Sequence, residues 1–289
     1  MLMGNSAGII GVGLLGEAIA SRLAGQGWVV DGFDVSSGQR EGITMHDNPG
    51  LVLAKCDFVL LSLPTSQVVS QVIDDIAEAI EPRHCFIDTT TGEPDEMEAI
   101  AELLAKCGAD YLEANVAGSS LLARRGEATL FLGGSDDTID CCRPVLETIA
   151  EKRFHVGPIG SASRFKLVHN LILGLNRAAL AEGLVFAESL GFEATDALDI
   201  LKHTPAVSAA MCAKGCKMAK ADYDPPQARL SQHLKDVRLI LRLAKEVGAS
   251  VPLSQVHDQL LEKAKLLGFG ESDNAAVTEA YRAKRKRHE

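Results

Sequence analysis

Two stretches of this chain hold the residue types and spacings that chemistry needs. The first is Arg164-Phe165-Lys166-Leu167-Val168-His169-Asn170. Lys166 precedes His169 by three residues and Asn170 by four, so on a helix all three share one face. An ammonium there could hand a proton to a carbonyl oxygen while hydride reaches its carbon. In the reverse direction a neutral lysine would take the hydroxyl proton, and both steps favour a closed site. The amide of Asn170 could fix the same oxygen. An ordinary polar helix surface has this pattern too, and spacing alone leaves both readings open.

The second stretch is Ile9-Ile10-Gly11-Val12-Gly13-Leu14-Leu15-Gly16, in G-x-G-x-x-G order, after a β-branched run and before an apolar helical pattern. In that context the motif reads as the strand, tight turn and helix start of a dinucleotide-binding βαβ unit. Gly11 permits the turn, Gly13 lets a pyrophosphate approach the backbone, and Gly16 lets the helix pack on the strand. The phosphates would meet the amides around Gly11, Val12, Gly13, Leu14, Leu15 and Gly16 at a helix N-terminus. Asp34 ends the next strand, eighteen residues after Gly16, where an acid meets the ribose 2′-hydroxyl and repels a 2′-phosphate. This favours NAD over NADP, with Arg40 as the nearby cation that would argue the other way.

Three further groups could contribute. Gly118, Ser119 and Ser120 follow the strand-like Asp110-Tyr111-Leu112-Glu113-Ala114, and their amides could cradle a carboxylate. Lys235-Asp236 sits in a helical pattern, where Lys235 could also simply pair with a surface acid. Gly268 to Ala276 stacks glycines and capping residues and reads as a shaped loop before the last helix.

The elements that must position these groups follow from periodicity. Strands are expected at 8–12, 29–34, 58–63, 85–88, 110–114, 129–134 and 153–156, alternating with helices at 14–25, 66–80, 94–106 and 138–150. Residues 38–49 look irregular. Phe58 to Leu63 is continuously apolar, as a parallel strand covered on both faces must be. The fold class is therefore α/β: a doubly wound, mainly parallel Rossmann-type sheet, whose crevice collects Gly11, Asp34, Leu63-Pro64 and Thr91 at one edge. After Gly157-Pro158-Ile159-Gly160 the pattern becomes all-helical, entered through one long helix from Ser163 to about Leu190. Gly174 and Gly183 inside it suggest close packing rather than breaks. Further helices are expected near 194–201, 205–220, 227–247 and 252–267. The expected domains are 1–161, for the dinucleotide, and 162–289, a helical substrate and oligomerisation domain.

Composition excludes several classes. The 289 residues are 46% hydrophobic, which suits a globular protein. Only 4% are aromatic and the net charge is -10, which argues against a nucleic-acid stacking surface. The seven cysteines form no C-x-x-C pair and no histidine cluster accompanies them, so buried reduced thiols and no metal are expected. The first residues lack a basic segment followed by an apolar targeting core, and no apolar run reads as long enough to cross a bilayer. A cytoplasmic protein without membrane or nucleic-acid partners is expected. The basic run from Arg282 to His288 reads as a solvated helix end.

These motifs, in this order, resemble the β-hydroxyacid dehydrogenase family over essentially the whole chain. That family includes 3-hydroxyisobutyrate dehydrogenase, tartronate semialdehyde reductase and the glyoxylate/succinic semialdehyde reductases. Ile10 to Gly16 resembles its opening glycine motif, with Leu15 where methionine is common. Leu63-Pro64 resembles the leucine-proline beside the nicotinamide, and Asp88-Thr89-Thr90-Thr91 resembles its Asp-x-Ser-Thr turn. Lys166 to Asn170 resembles the segment with the catalytic lysine and a substrate-binding asparagine. Lys235-Asp236 and the 270–276 loop also match. The resemblance implies proton transfer by Lys166, substrate orientation by Asn170, and Lys235 near cofactor or substrate. It also implies a 6-phosphogluconate dehydrogenase-like second domain and a homodimer or homotetramer.

The substrate loop departs from the family's Asp-Ala-Pro-Val-Ser-Gly-Gly: Glu113, Asn115, Ala117 and Ser119 differ, and Ala117 lacks a hydroxyl that commonly binds the substrate's acid group. His169 also replaces a common asparagine. The expected activity is NAD(H)-dependent interconversion of a small 3-hydroxy acid and its semialdehyde, the anionic substrate docking on Gly118, Ser119 and Ser120. Reduction of an imine or a sulfonate-bearing aldehyde, or cofactor binding without turnover, are the alternatives.

Overall fold

A computed structural model of the chain describes residues 5–36 and 38–282. Its contacts divide into two compact units, residues 1–166 and 167–289. In the first, strands and helices alternate as β1 (Ser6–Ile10), α1 (Leu14–Gly25), β2 (Val29–Phe33), β3 (Thr44–Met45), α2 (Pro49–Leu53), β4 (Phe58–Leu61), α3 (Ser66–Asp75), β5 (Cys85–Asp88), α4 (Pro94–Lys106), β6 (Asp110–Ala117), α5 (Ser120–Arg125), β7 (Thr129–Gly133), α6 (Asp136–Ile149) and β8 (Lys152–Gly157). Among the described residues these strands form one sheet in the order β3-β2-β1-β4-β5-β6-β7-β8. All neighbours are parallel except β6 and β7. The expected Rossmann-type mixed sheet is the observed one.

Successive side chains of a strand point to opposite faces, and the core divides accordingly. Ile9, Leu60, Ile87 and Leu112 pack on one face with residues of α1 and α6. Ile10, Leu61 and Phe86 pack on the other with residues of α3 and α4. Burial on both faces explains why Phe58 to Leu61 and Cys85 to Ile87 carry no polar alternation.

Several boundaries differ from expectation. β6 runs on to Ala117, because residues 113–117 pair with β7 from Glu113↔Gly133 to Ala117↔Thr129. The Glu113–Ala117 part of the expected loop is therefore strand, and only Gly118 and Ser119 are loop before α5. The short β3 lies inside the stretch that reads as irregular, held by two register pairs with β2. The thiols are not all buried: Cys141, Cys212 and Cys216 are exposed.

The second unit continues α7 (Ser161–Ser189) and adds α8 (Ala194–Lys202), α9 (Ala209–Lys220), α10 (Leu230–Glu246), α11 (Pro252–Ala264) and the short α12 (Glu279–Arg282). Its core gathers Leu184, Leu198, Met218, Leu234 and Leu261. α9 begins at Ala209, not near 205, because the Ser208 hydroxyl caps it by accepting the Met211 amide at 3.1 Å. α7 is unbroken through both internal glycines. A Cβ on Gly174 would lie 2.7 Å from His233 Nε2, so that glycine does mark close packing; Gly183 meets nothing within 4 Å.

By length and composition α7 does reach what a membrane span requires, contrary to the sequence reading. The reason is its role as a core helix: it buries Leu167, Ala181 and Leu184 together with the polar Lys166, Asn170 and Arg177. Of the basic run at the end, only Arg282 lies within the described residues, and it pairs with Glu188 at 2.6 Å and Glu279 at 2.9 Å.

Candidate active site

The C-terminal edge of the sheet in the first unit carries the glycine turn. Gly11 has φ +94, and a Cβ there would lie 2.4 Å from the Ser62 carbonyl oxygen. At Gly16 a Cβ would stand 1.9 Å from the Gly11 carbonyl oxygen, so the first turn of α1 can sit on the strand end only as glycine. At Gly13 a Cβ would meet nothing within 4 Å. Gly13 is also the N-cap of α1, and no side chain caps that end. Open space over a helix N-terminus that lacks a side-chain acceptor fits a pyrophosphate. The amides of Gly13 to Gly16 at that end are the groups that would hold it.

Asp34 follows β2. Its Oδ2 accepts the Val12 amide at 2.7 Å, and its Oδ1 accepts the amide (2.8 Å) and the hydroxyl of Ser36. Burial pushes its carboxyl up, but the Ser36 and Val12 hydrogen bonds and the charge of Arg40 outweigh it, and the net shift is downward. Asp34 thus stays anionic and also braces the glycine turn, a second role that spacing did not show. Arg40 lies 3.7 Å from Glu17 of α1.

Beside this turn, the Leu63 amide donates to Thr90 Oγ1 at 3.1 Å, which ties the Leu63-Pro64 corner to the turn containing Thr91. That turn is held from below by Asp88. Its Oδ1 accepts the Thr90 amide at 2.8 Å and its Oδ2 the Tyr111 hydroxyl at 2.8 Å. Burial raises the Asp88 carboxyl to about 6 despite these bonds. Asn115 of β6 donates to the Thr90 carbonyl at 2.5 Å. Asn115 is therefore a brace for this turn, and Glu113 faces the start of α7: its Oε2 accepts the Gly160 amide at 2.5 Å.

Lys166 belongs to the same unit and is 8% exposed. Its Nζ donates to the Val116 carbonyl at 2.7 Å. Asp88 pairs with Glu113 at the last register position of β5 and β6. Residues 114–117 therefore overshoot β5 at the C-terminal edge, and Val116 carries the lysine there. Gly118 ends this overshoot with φ +155, Ser119 caps α5 by accepting the Leu122 amide at 3.3 Å, and Ser120 opens α5.

In the second unit Asn170, one helical turn beyond Lys166 on α7 and also buried, donates from Nδ2 to Asp236 Oδ2 at 3.0 Å. Lys235 is 3.2 Å from the other oxygen of Asp236. Asn170 and Lys235 thus share one carboxylate. Sequence reasoning missed the buried pair Lys214 and Asp273, 2.6 Å apart, which closes the 270–276 loop. Asp273 also accepts the amides of Gln227 (2.8 Å) and Ala275 (3.0 Å). Its signal was an Asp capping position, Asp273, ahead of Asn274-Ala275-Ala276.

Residues 6–157 match the family model of the NAD binding domain of 6-phosphogluconate dehydrogenase. Residues 160–281 match that of the NAD-binding region of NADP-dependent 3-hydroxyisobutyrate dehydrogenase. The chain is 30% identical to 2-(hydroxymethyl)glutarate dehydrogenase of Eubacterium barkeri, over 95% of this chain and 94% of that protein. It is 28% identical to glyoxylate/succinic semialdehyde reductase 1 of Arabidopsis thaliana, over 96% and 99%. Among solved structures, Mycobacterium tuberculosis 3-hydroxyisobutyrate dehydrogenase with L-serine has a TM-score of 0.83 at 26% identity, covering 97% of this chain and 100% of that one. With its acid-braced glycine turn and two family matches that together span both units, the chain belongs to the β-hydroxyacid dehydrogenase superfamily and is an NAD(P)-dependent oxidoreductase.

Proposed function

We propose that this enzyme uses NAD to interconvert a small 3-hydroxy acid and its semialdehyde, with Lys166 moving the proton at the reacting oxygen. The observation that carries this reading is the placement of Lys166: a buried ammonium tethered to Val116, on the strand end that overshoots the dinucleotide edge. A buried amine at that edge can donate to a carbonyl oxygen as it becomes an alkoxide, or accept from a hydroxyl in the other direction. The nicotinamide, when bound, supplies or accepts the hydride. Asn170 orients the substrate oxygen or its carboxylate, Lys235 adds positive charge for the anionic end or the cofactor, and the backbone at Gly118, Ser119 and Ser120 receives the carboxylate. Leu63, Pro64 and Thr91 flank the nicotinamide.

The molecules named with two relatives support the substrate class. 3-Hydroxyisobutyrate and 2-(hydroxymethyl)glutarate, and the L-serine in the solved structure, all carry a hydroxymethyl group on the carbon beside a carboxylate. The anionic Asp34 supports NAD, because a 2′-phosphate beside it would meet like charge. A homodimer or homotetramer is supported by Val168, Ile172, Phe186, Leu190, Phe192 and Ile200, large apolar side chains more than half exposed on the second unit.

The test is a panel of hydroxymethyl carboxylates and their semialdehydes with NAD(H) and NADP(H), read by nicotinamide absorbance, on the wild type and on Lys166→Ala. Turnover of the panel with NAD and a fall in kcat of about 10²-fold or more in the variant is the expected result. Full activity in the variant overturns the lysine's role, and preference for NADP overturns the reading of Asp34.

A further inference from the structure

The side chain of Glu113 is buried, and the proton transfer proposed above gives it no task. It lies on β6 three residues before Val116, the residue whose carbonyl accepts the Lys166 ammonium. Its Oε2 accepts the Gly160 amide at 2.5 Å, and its Oε1 accepts both the amide (3.2 Å) and the hydroxyl of Ser163. These donors sit at the start of α7, where unpaired amides and the helix dipole favour a negative charge. The carboxylate reaches them over β7 through a gap. Its cross-strand partner there is Gly133, and a Cβ on Gly133 would lie 2.5 Å from Glu113 Oε2 and 3.1 Å from the Ala162 amide nitrogen.

One strand therefore holds the first turn of α7 twice. The Glu113 side chain grips the helix start, and the Val116 carbonyl grips the lysine three residues beyond Ser163. A single hold leaves a helix free to turn or slide about it; a second, at Ser163 and Gly160, fixes the depth and rotation of the turn that carries Lys166. We infer that Glu113 is a positioning residue for the proton-transfer step, anchoring the start of α7 so that the Lys166 ammonium is kept at the C-terminal overshoot of β6. The inference rests on the reading of Lys166 given above.

Burial is the main influence on Glu113 and raises its carboxyl to about 7, opposed by its bonds to Ser163 and Gly160 and reinforced by Asp88 on β5. Tyr111, on β6 itself, also faces it. The ionised carboxylate offers acceptors only, which suits two amides and a hydroxyl.

The experiment uses the full-length enzyme and three variants: Glu113→Gln, Gly133→Ala and Lys166→Ala. Steady-state kinetics are recorded, with amide hydrogen exchange at Ser163 to Leu167. Glu113→Gln keeps the size but places an amide where a carboxylate met donors. Gly133→Ala keeps the acid but crowds it off the helix start. Both are expected to lower kcat about tenfold or more while leaving KM for the cofactor within about twofold, as a small displacement of a reacting group does. Both are expected to speed exchange in the first turn of α7 about tenfold. If Glu113→Gln keeps the wild-type kcat and exchange, the proposal is overturned while an inactive Lys166→Ala leaves the lysine reading standing. If Lys166→Ala is fully active, that reading falls instead, and exchange in the other two variants still reports whether Glu113 anchors the helix. Loss of kcat in Glu113→Gln with unchanged exchange also overturns the proposal.

Discussion

Replacing Asp88 with asparagine is expected to make this protein more stable as pH rises, relative to the wild type. Asp88 is 1% exposed at the end of β5. Burial raises its midpoint from 3.8 to about 6, even though Thr90 and Tyr111 donate to it. A carboxyl raised in the folded state favours folding while it is protonated. That contribution is complete below the unfolded value near 3.8 and is lost as pH climbs through about 6. The change in midpoint is worth about 3 kcal/mol at about 1.4 kcal/mol per pH unit. An asparagine fills the same space, still accepts from the Thr90 amide or the Tyr111 hydroxyl, and does not titrate. Its charge-free site also lowers the midpoint of neighbouring Glu113, which Asp88 helps to raise. Denaturant unfolding of both proteins from pH 4 to pH 8, at roughly one-unit steps, tests this. The stability of Asp88→Asn minus that of the wild type should grow by about 2–3 kcal/mol across that window, most steeply between about 4 and 6. A difference that stays flat with pH, or shrinks, refutes the claim that Asp88 is ionised at a cost in the native fold.

The two inner glycines of the turn should part company. Gly13→Ala is expected to leave stability within about 0.5 kcal/mol, since its Cβ meets nothing, yet to weaken dinucleotide affinity about tenfold or more in a fluorescence titration. Gly16→Ala drives a Cβ onto the Gly11 carbonyl and is expected to lose about 1–3 kcal/mol of stability as well as binding. In the helical unit, Lys214→Met leaves Asp273 buried without its cation and should cost about 3–5 kcal/mol by denaturant unfolding. Lys214→Met with Asp273→Asn should recover part of that loss, because the stranded charge is removed too.

What the sequence reveals and what it hides divide along sequence separation. The glycine turn, α1 and α4 are readable because their signals are local: a motif, a period and Pro94 at a helix start. The acid at Asp34 is readable by its distance from Gly16, but its grip on the Val12 amide is not, since an acid on that strand satisfies the motif either way. Residues 115–117 look like loop because glycine and serines follow at once. Their strand character comes from β7, more than ten residues on, and no local period reports a partner. The roles of Glu113 and Lys214 are hidden for the same reason: their partners lie about fifty to sixty residues away. α7 reads as a long helix, but its apolar length equally describes a core helix and a membrane span. Burial of Lys166, Asn170 and Arg177 is what separates the two, and burial is not written in a helical period.

The division between the two units falls inside α7, between Lys166 and Leu167, with no linker at that point. A helix of 29 residues is about 43 Å long and cannot be cut at its sixth residue without fraying both pieces. A cut at Gly160 would give a tidy nucleotide-binding module, but one that leaves its lysine behind with the other partner. A cut after Lys166 would keep the lysine on a single stub of helix. The protein is thus two bodies by contact joined through one unbroken helix, and an engineer wishing to graft the proposed lysine site onto another scaffold must carry the whole rod.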